Sequence, residues 1–165
     1  MTNILILLSL LQEDQTLKIS PQGYSMCPFF VGGRDDVYLK AAVFPLKKGD
    51  IALYQRDSGQ YIIHRVYRIK NVNSNCEYYM LGDNQTWIEG PIHPSQIHAV
   101  TVKFTRKGKM IDCSSNKLYR FLSWIWMAIR PLRPIFIRFW IGIRPTVHKH
   151  QAKQILNEMK NKSPH

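Results

Sequence analysis

Between residues 16 and 111 the chain alternates short runs rich in Val, Ile and Tyr with clusters of turn formers, which is how a β domain reads in sequence. The runs predict strands at Thr16–Ser20, Asp36–Ala41, Asp50–Gln55, Tyr61–Ile69, Glu77–Leu81 and Ala99–Thr105. The last continues past a Lys107-Gly108 turn to Met110 and Ile111. Asp57-Ser58-Gly59 reads as a hairpin loop, because glycine accepts the positive φ that such turns need. Asn71–Asn75 reads as a second loop. Ahead of this body, Thr2 to about Glu13 contains the apolar run Ile4–Leu11 and predicts a first helix. Behind it, the pattern from Lys117 becomes aromatic and basic. Pro131, Pro134 and Pro145 would interrupt one long helix, so two or three short segments are expected there. The expectation is a mainly β (α+β) chain with three parts: a helical N-terminus over 1–15, a β body over 16–111 and a separate helical tail over 112–165.

Composition supports a folded chain with a core of its own: 165 residues, of which 45% are apolar and 21% charged. Charge separates the parts. The net +12 is almost all C-terminal, since residues 1–105 sum to +1 and residues 106–165 to +11. Cys27, Cys76 and Cys113 form no CxxC pair, which argues against a zinc ribbon or disulfide framework and for free thiols in a reducing compartment. The N-terminal apolar run is too short to span a bilayer and lacks the flanks of a signal peptide. A cytoplasmic chain, peripheral at a membrane, is the expectation.

Three segments could carry chemistry. In Gly23-Tyr24-Ser25-Met26-Cys27-Pro28, a serine between a flexible glycine and a φ-fixing proline can be held at a tight turn with N–H groups converging beside its hydroxyl. A nucleophile with a backbone oxyanion hole needs that arrangement, although a plain turn would use the same residues. In Tyr61-Ile62-Ile63-His64-Arg65-Val66, alternation puts His64 on the face of Ile62 and Val66. There it is either a hydrogen-bonded core histidine or a general base. Leu81-Gly82-Asp83-Asn84 ends a strand in a polar turn. His93 and His98 read as surface residues in or after a loop, and His148-Lys149-His150 as an exposed basic patch. No Walker or dinucleotide-type glycine loop is present, and no cofactor and no metal are inferred.

Taken in order, these segments resemble the signal peptidase I-like serine peptidases, the group that also contains the self-cleaving SOS repressors. The nucleophile box reads Gly23 to Pro28, the next strand box Gly49-Asp50-Ile51-Ala52-Leu53-Tyr54, the base box Ile63-His64-Arg65-Val66, and the last Gly82-Asp83-Asn84. The resemblance spans roughly residues 20–102, and His64 in the base box resembles the endoplasmic-reticulum and archaeal type rather than the Ser/Lys type. It implies the family's β catalytic fold and a serine endopeptidase that cleaves a peptide or leader by acyl transfer. Ser25 would attack, His64 would move the proton, and the N–H groups of Ser25 and Met26 would hold the oxyanion. Asp83 is the preferred acid to orient His64, with Glu89 the alternative. Gly23 stands where many bacterial members carry a hydroxyl donor, which leaves a backbone-only oxyanion hole. The family's membrane anchor and large insertions have no counterpart here. Alternatives are a catalytically idle relative that binds a peptide in the same groove, and a self-processing regulator.

The tail mixes Phe121, Trp124, Trp126, Phe136, Phe139 and Trp140 with arginines at 120, 130, 133, 138 and 144. Its longest apolar run, Phe121–Ile129, cannot cross a bilayer. An interfacial position fits better, with tryptophan at headgroup level and arginine reaching anionic lipid, so residues 117–144 are expected to meet an anionic membrane surface. Packing of the tail on the β body is the competing reading. Nucleic acid is disfavoured, because no recognised binding motif accompanies the arginines.

Overall fold

A computed structural model describes Leu11, residues 15–72 and residues 75–133. The N-terminal helix expected over Thr2–Glu13 therefore lies outside the described residues except at Leu11, as do the tail beyond Arg133 and the His148–His150 patch.

The chain is mainly β. Eight strands run as β1 (Leu17–Ile19), β2 (Val37–Ala41), β3 (Ile51–Gln55), β4 (Tyr61–Val72), β5 (Asn75–Leu81), β6 (Glu89–Ile92), β7 (Ile97–Arg106) and β8 (Lys109–Asp112). A short 3-10 turn, Pro94–Gln96, leads into β7, and helix α1 (Lys117–Ala128) is followed by a 3-10 turn at Arg130–Leu132. All pairings are antiparallel, in the order β1-β2-β7-β3-β4-β5-β6, and β8 folds back on β7. The ten-residue β7 has β2 along one side, while β3 (at residues 97–100) and β8 (at 103–106) share the other.

Alternation along β3 builds two cores. Ile51 and Leu53 join Phe29, Phe30, Val37, Leu39, Ala99, Phe104 and Tyr119 on one side. Ala52 and Tyr54 join Leu46, Val66, Tyr78, Met80, Ile92 and Ile97 on the other. A strand buried on both faces is apolar at every position rather than every second one, and Ile51-Ala52-Leu53-Tyr54 is. Asp57-Ser58-Gly59 turns β3 into β4 with Gly59 at φ +83°, fixing the register Gln55 opposite Tyr61 and Ala52 opposite His64.

The tail is not a separate unit over its described part. Tyr119 of α1 sits in the first core, edge-on to Phe29 and Phe104 at 5.5 and 5.2 Å between ring centroids. Asn116 caps the helix, its side chain accepting from the Tyr119 N–H at 2.9 Å. The Asn71–Asn75 loop is also shorter than expected, since β4 runs to Val72 and β5 starts at Asn75. His98 lies within β7, half-buried against the Tyr61 ring at 5.5 Å, and burial lowers its pKa. It is not a loop residue, whereas His93 is exposed.

Candidate active site

His64 and Arg65 are successive residues of β4, so their side chains leave the strand on opposite faces. That alternation sorts the two candidate acids. Asp83 is buried and Glu89 partly so, and each face of the strand takes one.

On the Arg65 face, the guanidinium is fully buried and holds Asp83 through two hydrogen bonds, Nε to Oδ1 at 3.0 Å and Nη2 to Oδ2 at 2.7 Å. Nη1 donates to the Gly49 carbonyl at 2.9 Å and to the Tyr119 hydroxyl at 3.0 Å. The Phe29 ring lies 5.1 Å from the guanidinium carbon. Burial opposes the charge on Arg65, but Asp83 and Tyr119 outweigh it and raise its pKa. The same burial pushes the Tyr119 hydroxyl up to about 12. Asp83 is thus the counter-ion of a buried arginine, which corrects the expectation that it orients the imidazole.

On the His64 face, the acid is Glu89, the alternative named from sequence. Its Oε1 stands 3.5 Å from His64 Nδ1, and its Oε2 accepts from the Tyr54 hydroxyl at 2.8 Å. Tyr54 Oη lies 3.2 Å from the same Nδ1. Arg56 closes the group with a two-point ion pair to Glu89. Burial raises the pKa of Glu89, yet the Arg56 guanidinium, the facing imidazole and the Tyr54 hydroxyl together hold it below the usual carboxylate range. Burial and the adjacent carboxylate push the Tyr54 hydroxyl far up, so it stays protonated. The hydroxyl has a single hydrogen, and Glu89 accepts it. At Nδ1 the tyrosine oxygen is therefore the acceptor. Nδ1 therefore carries a proton, and in the neutral imidazole the lone pair is on Nε2.

Sequence reading missed Tyr54, Arg56 and the Arg65–Asp83 pair. The first two were within reach of it. With the register fixed by the Asp57-Ser58-Gly59 turn, Ala52, Tyr54 and Arg56 alternate onto the face of His64.

Ser25 and Met26 sit in a turn closed at its base by the Gly32 N–H donating to the Gly23 carbonyl at 2.8 Å. A Cβ on Gly32 would lie 2.4 Å from the Gln22 backbone, so the two arms of the loop come closer than any side chain allows. The far wall of the turn is the third sequence box. The Asn84 N–H donates to the Ser25 carbonyl at 2.8 Å, and a Cβ on Gly82 would stand 2.9 Å from that same oxygen. Nucleophile box and Gly-Asp-Asn box are thus in direct contact, and Leu81 beside them pairs with Arg65, the neighbour of His64.

Ser25 and Met26 open into a cleft of about 400 Å³. Ile19 and Ser20 lie on one side of it, and Gln60, Tyr61, Ile62 and Ile63 on the other. Ile62 and Ile63 point to opposite faces of β4, so the cleft runs along the strand's edge. Among the described residues that edge is open: residues 61–64 pair with β3 alone, and β5 joins only from Arg65 onward. Across the cleft, β1 pairs only with β2 among the described residues. Among the described residues no group of three or more His, Cys, Asp or Glu side chains is placed to hold a metal ion.

No protein-family model matches the chain, and no curated protein matches it. The likeness to the signal peptidase I-like peptidases rests on the motif residues themselves.

Proposed function

We propose that the chain is a serine endopeptidase of the signal-peptidase-like type, with that family's β catalytic fold, acting on a peptide or leader segment. The observation that carries the reading is the imidazole whose Nδ1 faces Tyr54 and Glu89, which leaves Nε2 as the nitrogen to act as base, on the strand that borders the Ser25 cleft. In a hydrolytic triad the acid holds the base in that tautomer. Here a tyrosine hydroxyl shares the task, and Arg56 keeps the acid ionised.

In the mechanism, a peptide lies extended between the edges of β1 and β4 as an added strand. Ser25 Oγ attacks the scissile carbonyl while His64 Nε2 takes its proton, and the carbonyl oxygen becomes an oxyanion beside the Ser25 and Met26 N–H groups. His64 returns the proton to the leaving amine, and water then releases the acyl group from Ser25 by the same route. A peptide-based serine-acylating probe is expected to label the wild type and not Ser25→Ala. Equal labelling of both would overturn the reading.

The same reading places the protein at an anionic membrane surface through the outward side of α1, where Leu118, Phe121 and Trp124 are 67%, 58% and 64% exposed. Lys117 and Arg120 are exposed on the same helix, and no acidic residue occurs between Asp112 and Glu158. Apolar side chains in a purely basic setting suit lipid headgroups of opposite charge. No helix among the described residues is long and apolar enough to cross a membrane.

A further inference from the structure

We propose that Trp126 and Arg133 are positioning residues for the Ser25 nucleophile, so that the C-terminal segment is a working part of the active site rather than an appendage. The inference rests on the peptidase reading above.

The turn after β5 touches the nucleophile directly, through the Asn84 N–H on the Ser25 carbonyl. Its own outer carbonyls are held from the C-terminal side. Trp126 Nε1 donates to the Asp83 carbonyl at 2.8 Å, Arg133 Nη1 to the Gly82 carbonyl at 3.2 Å, and Arg130 Nη2 to the Thr86 carbonyl. Arg133 Nε also donates to the Trp126 carbonyl at 3.0 Å, and its guanidinium lies 5.4 Å from the Trp126 ring, which locks the two donors together. Arg133 is completely buried. A buried guanidinium is costly unless it is paired, and the nearby charge that compensates it is Asp83, already shared with Arg65. The segment thus grips the turn through its backbone carbonyls, with the charge of Asp83 opposing the cost of burying Arg133. Three residues beyond Thr86 the chain reaches Glu89, so the same grip sets the start of the strand that supplies the acid.

A polar turn of this kind would otherwise hold its carbonyls toward water and sample several conformations. Small misplacements of a nucleophile are expensive, about 100-fold in rate for an ångström. Trp126 and Arg133 do not line the cleft, so their effect passes through the turn.

The test compares two tryptophans two residues apart on α1. Trp126→Phe keeps an aromatic ring and removes the N–H bonded to Asp83, whereas Trp124→Phe alters only the exposed side. In the full chain without membranes, saturation labelling of Ser25 by the acylating probe separates the limiting acylation rate from the half-saturating concentration. Trp126→Phe is expected to lower the limiting rate about tenfold or more while half-saturation stays within about twofold. Trp124→Phe is expected to match the wild type. An unchanged rate in Trp126→Phe, or a loss no larger than its unfolded fraction in a thermal melt, would overturn the proposal. If the wild type itself is not labelled, the peptidase reading fails, and hydrogen exchange at the Asn84 amide decides the positioning role alone. Faster exchange in Trp126→Phe than in wild type supports it, and equal exchange refutes it.

Discussion

At the scale of single residues, the two acids near β4 differ in what their loss leaves behind. Replacing Asp83 by Asn would leave Arg65, and with it Arg133, as buried cations without a counter-charge. Breaking one partner of a buried pair costs about 3–5 kcal/mol, so Asp83→Asn is expected to lower the urea midpoint and melting temperature steeply. Glu89 faces Arg56, which keeps partial access to water, and its removal disturbs stability less. Its loss falls on Nδ1, where proton placement and ring orientation are set; mis-set tautomers in Ser-His-acid units cost on the order of 10⁴ in turnover. Glu89→Gln should therefore fold almost normally and acylate far more slowly. Equal melting temperatures for the two variants, with the larger kinetic loss in Asp83→Asn, would return Asp83 to the catalytic role. The sequence could not separate these acids by spacing alone, because both follow the same strand. What separates them is the face of β4, readable from the adjacency of His64 and Arg65 once the strand is assigned.

At the scale of elements, the strands rich in β-branched and aromatic residues and bounded by turn formers were legible in sequence: β1, β2, β3, β4 as far as Ile69, most of β5, most of β7 and β8 appear where the pattern puts them. β6 was not legible. Glu89-Gly90-Pro91-Ile92 holds a glycine and a proline, both depleted in strands, and it survives as an edge strand paired only with β5. Helix α1 was expected, with its packing on the β body only the competing reading. The arginines and tryptophans of the tail read alike in sequence, while in the fold alternate residues of one helix do opposite things, Tyr119, Ser123 and Trp126 facing the body and Leu118, Phe121 and Trp124 facing out. Because α1 is anchored by Asn116 at its start, its cap is a test of the element as a whole. Asn116→Ala removes the acceptor for the Tyr119 N–H and is expected to cost about 1 kcal/mol, read as a shift of the denaturation midpoint. No shift would mean that packing of Tyr119 alone holds the helix start.

At the scale of the whole molecule, charge and exposed apolar surface coincide. The body is close to neutral, the C-terminal sixty residues carry +11, and the outward side of α1 presents its large apolar side chains at the start of that basic region. The uneven charge was plain in the sequence; that one side of the first tail helix is spoken for by the turn at Asp83 was not, because it depends on contacts about forty residues away. A surface built this way should bind anionic bilayers by two separable contributions. The electrostatic one is worth about 1 kcal/mol per engaged Lys or Arg and is screened within about 10 Å at 0.1 M salt. The apolar one persists. Full-length protein is thus expected to float with vesicles containing anionic phospholipid at low ionic strength, more weakly in high salt, and least with purely zwitterionic vesicles. The double substitution Phe121→Ser with Trp124→Ser should remove the salt-resistant part and leave Ser25 labelling in solution unchanged, since neither residue holds the turn at Asp83. Failure of the wild type to float with anionic vesicles at low salt, or flotation that the double variant leaves intact at high salt, would exclude a lipid surface as the partner of this side of α1 and leave a protein partner in its place.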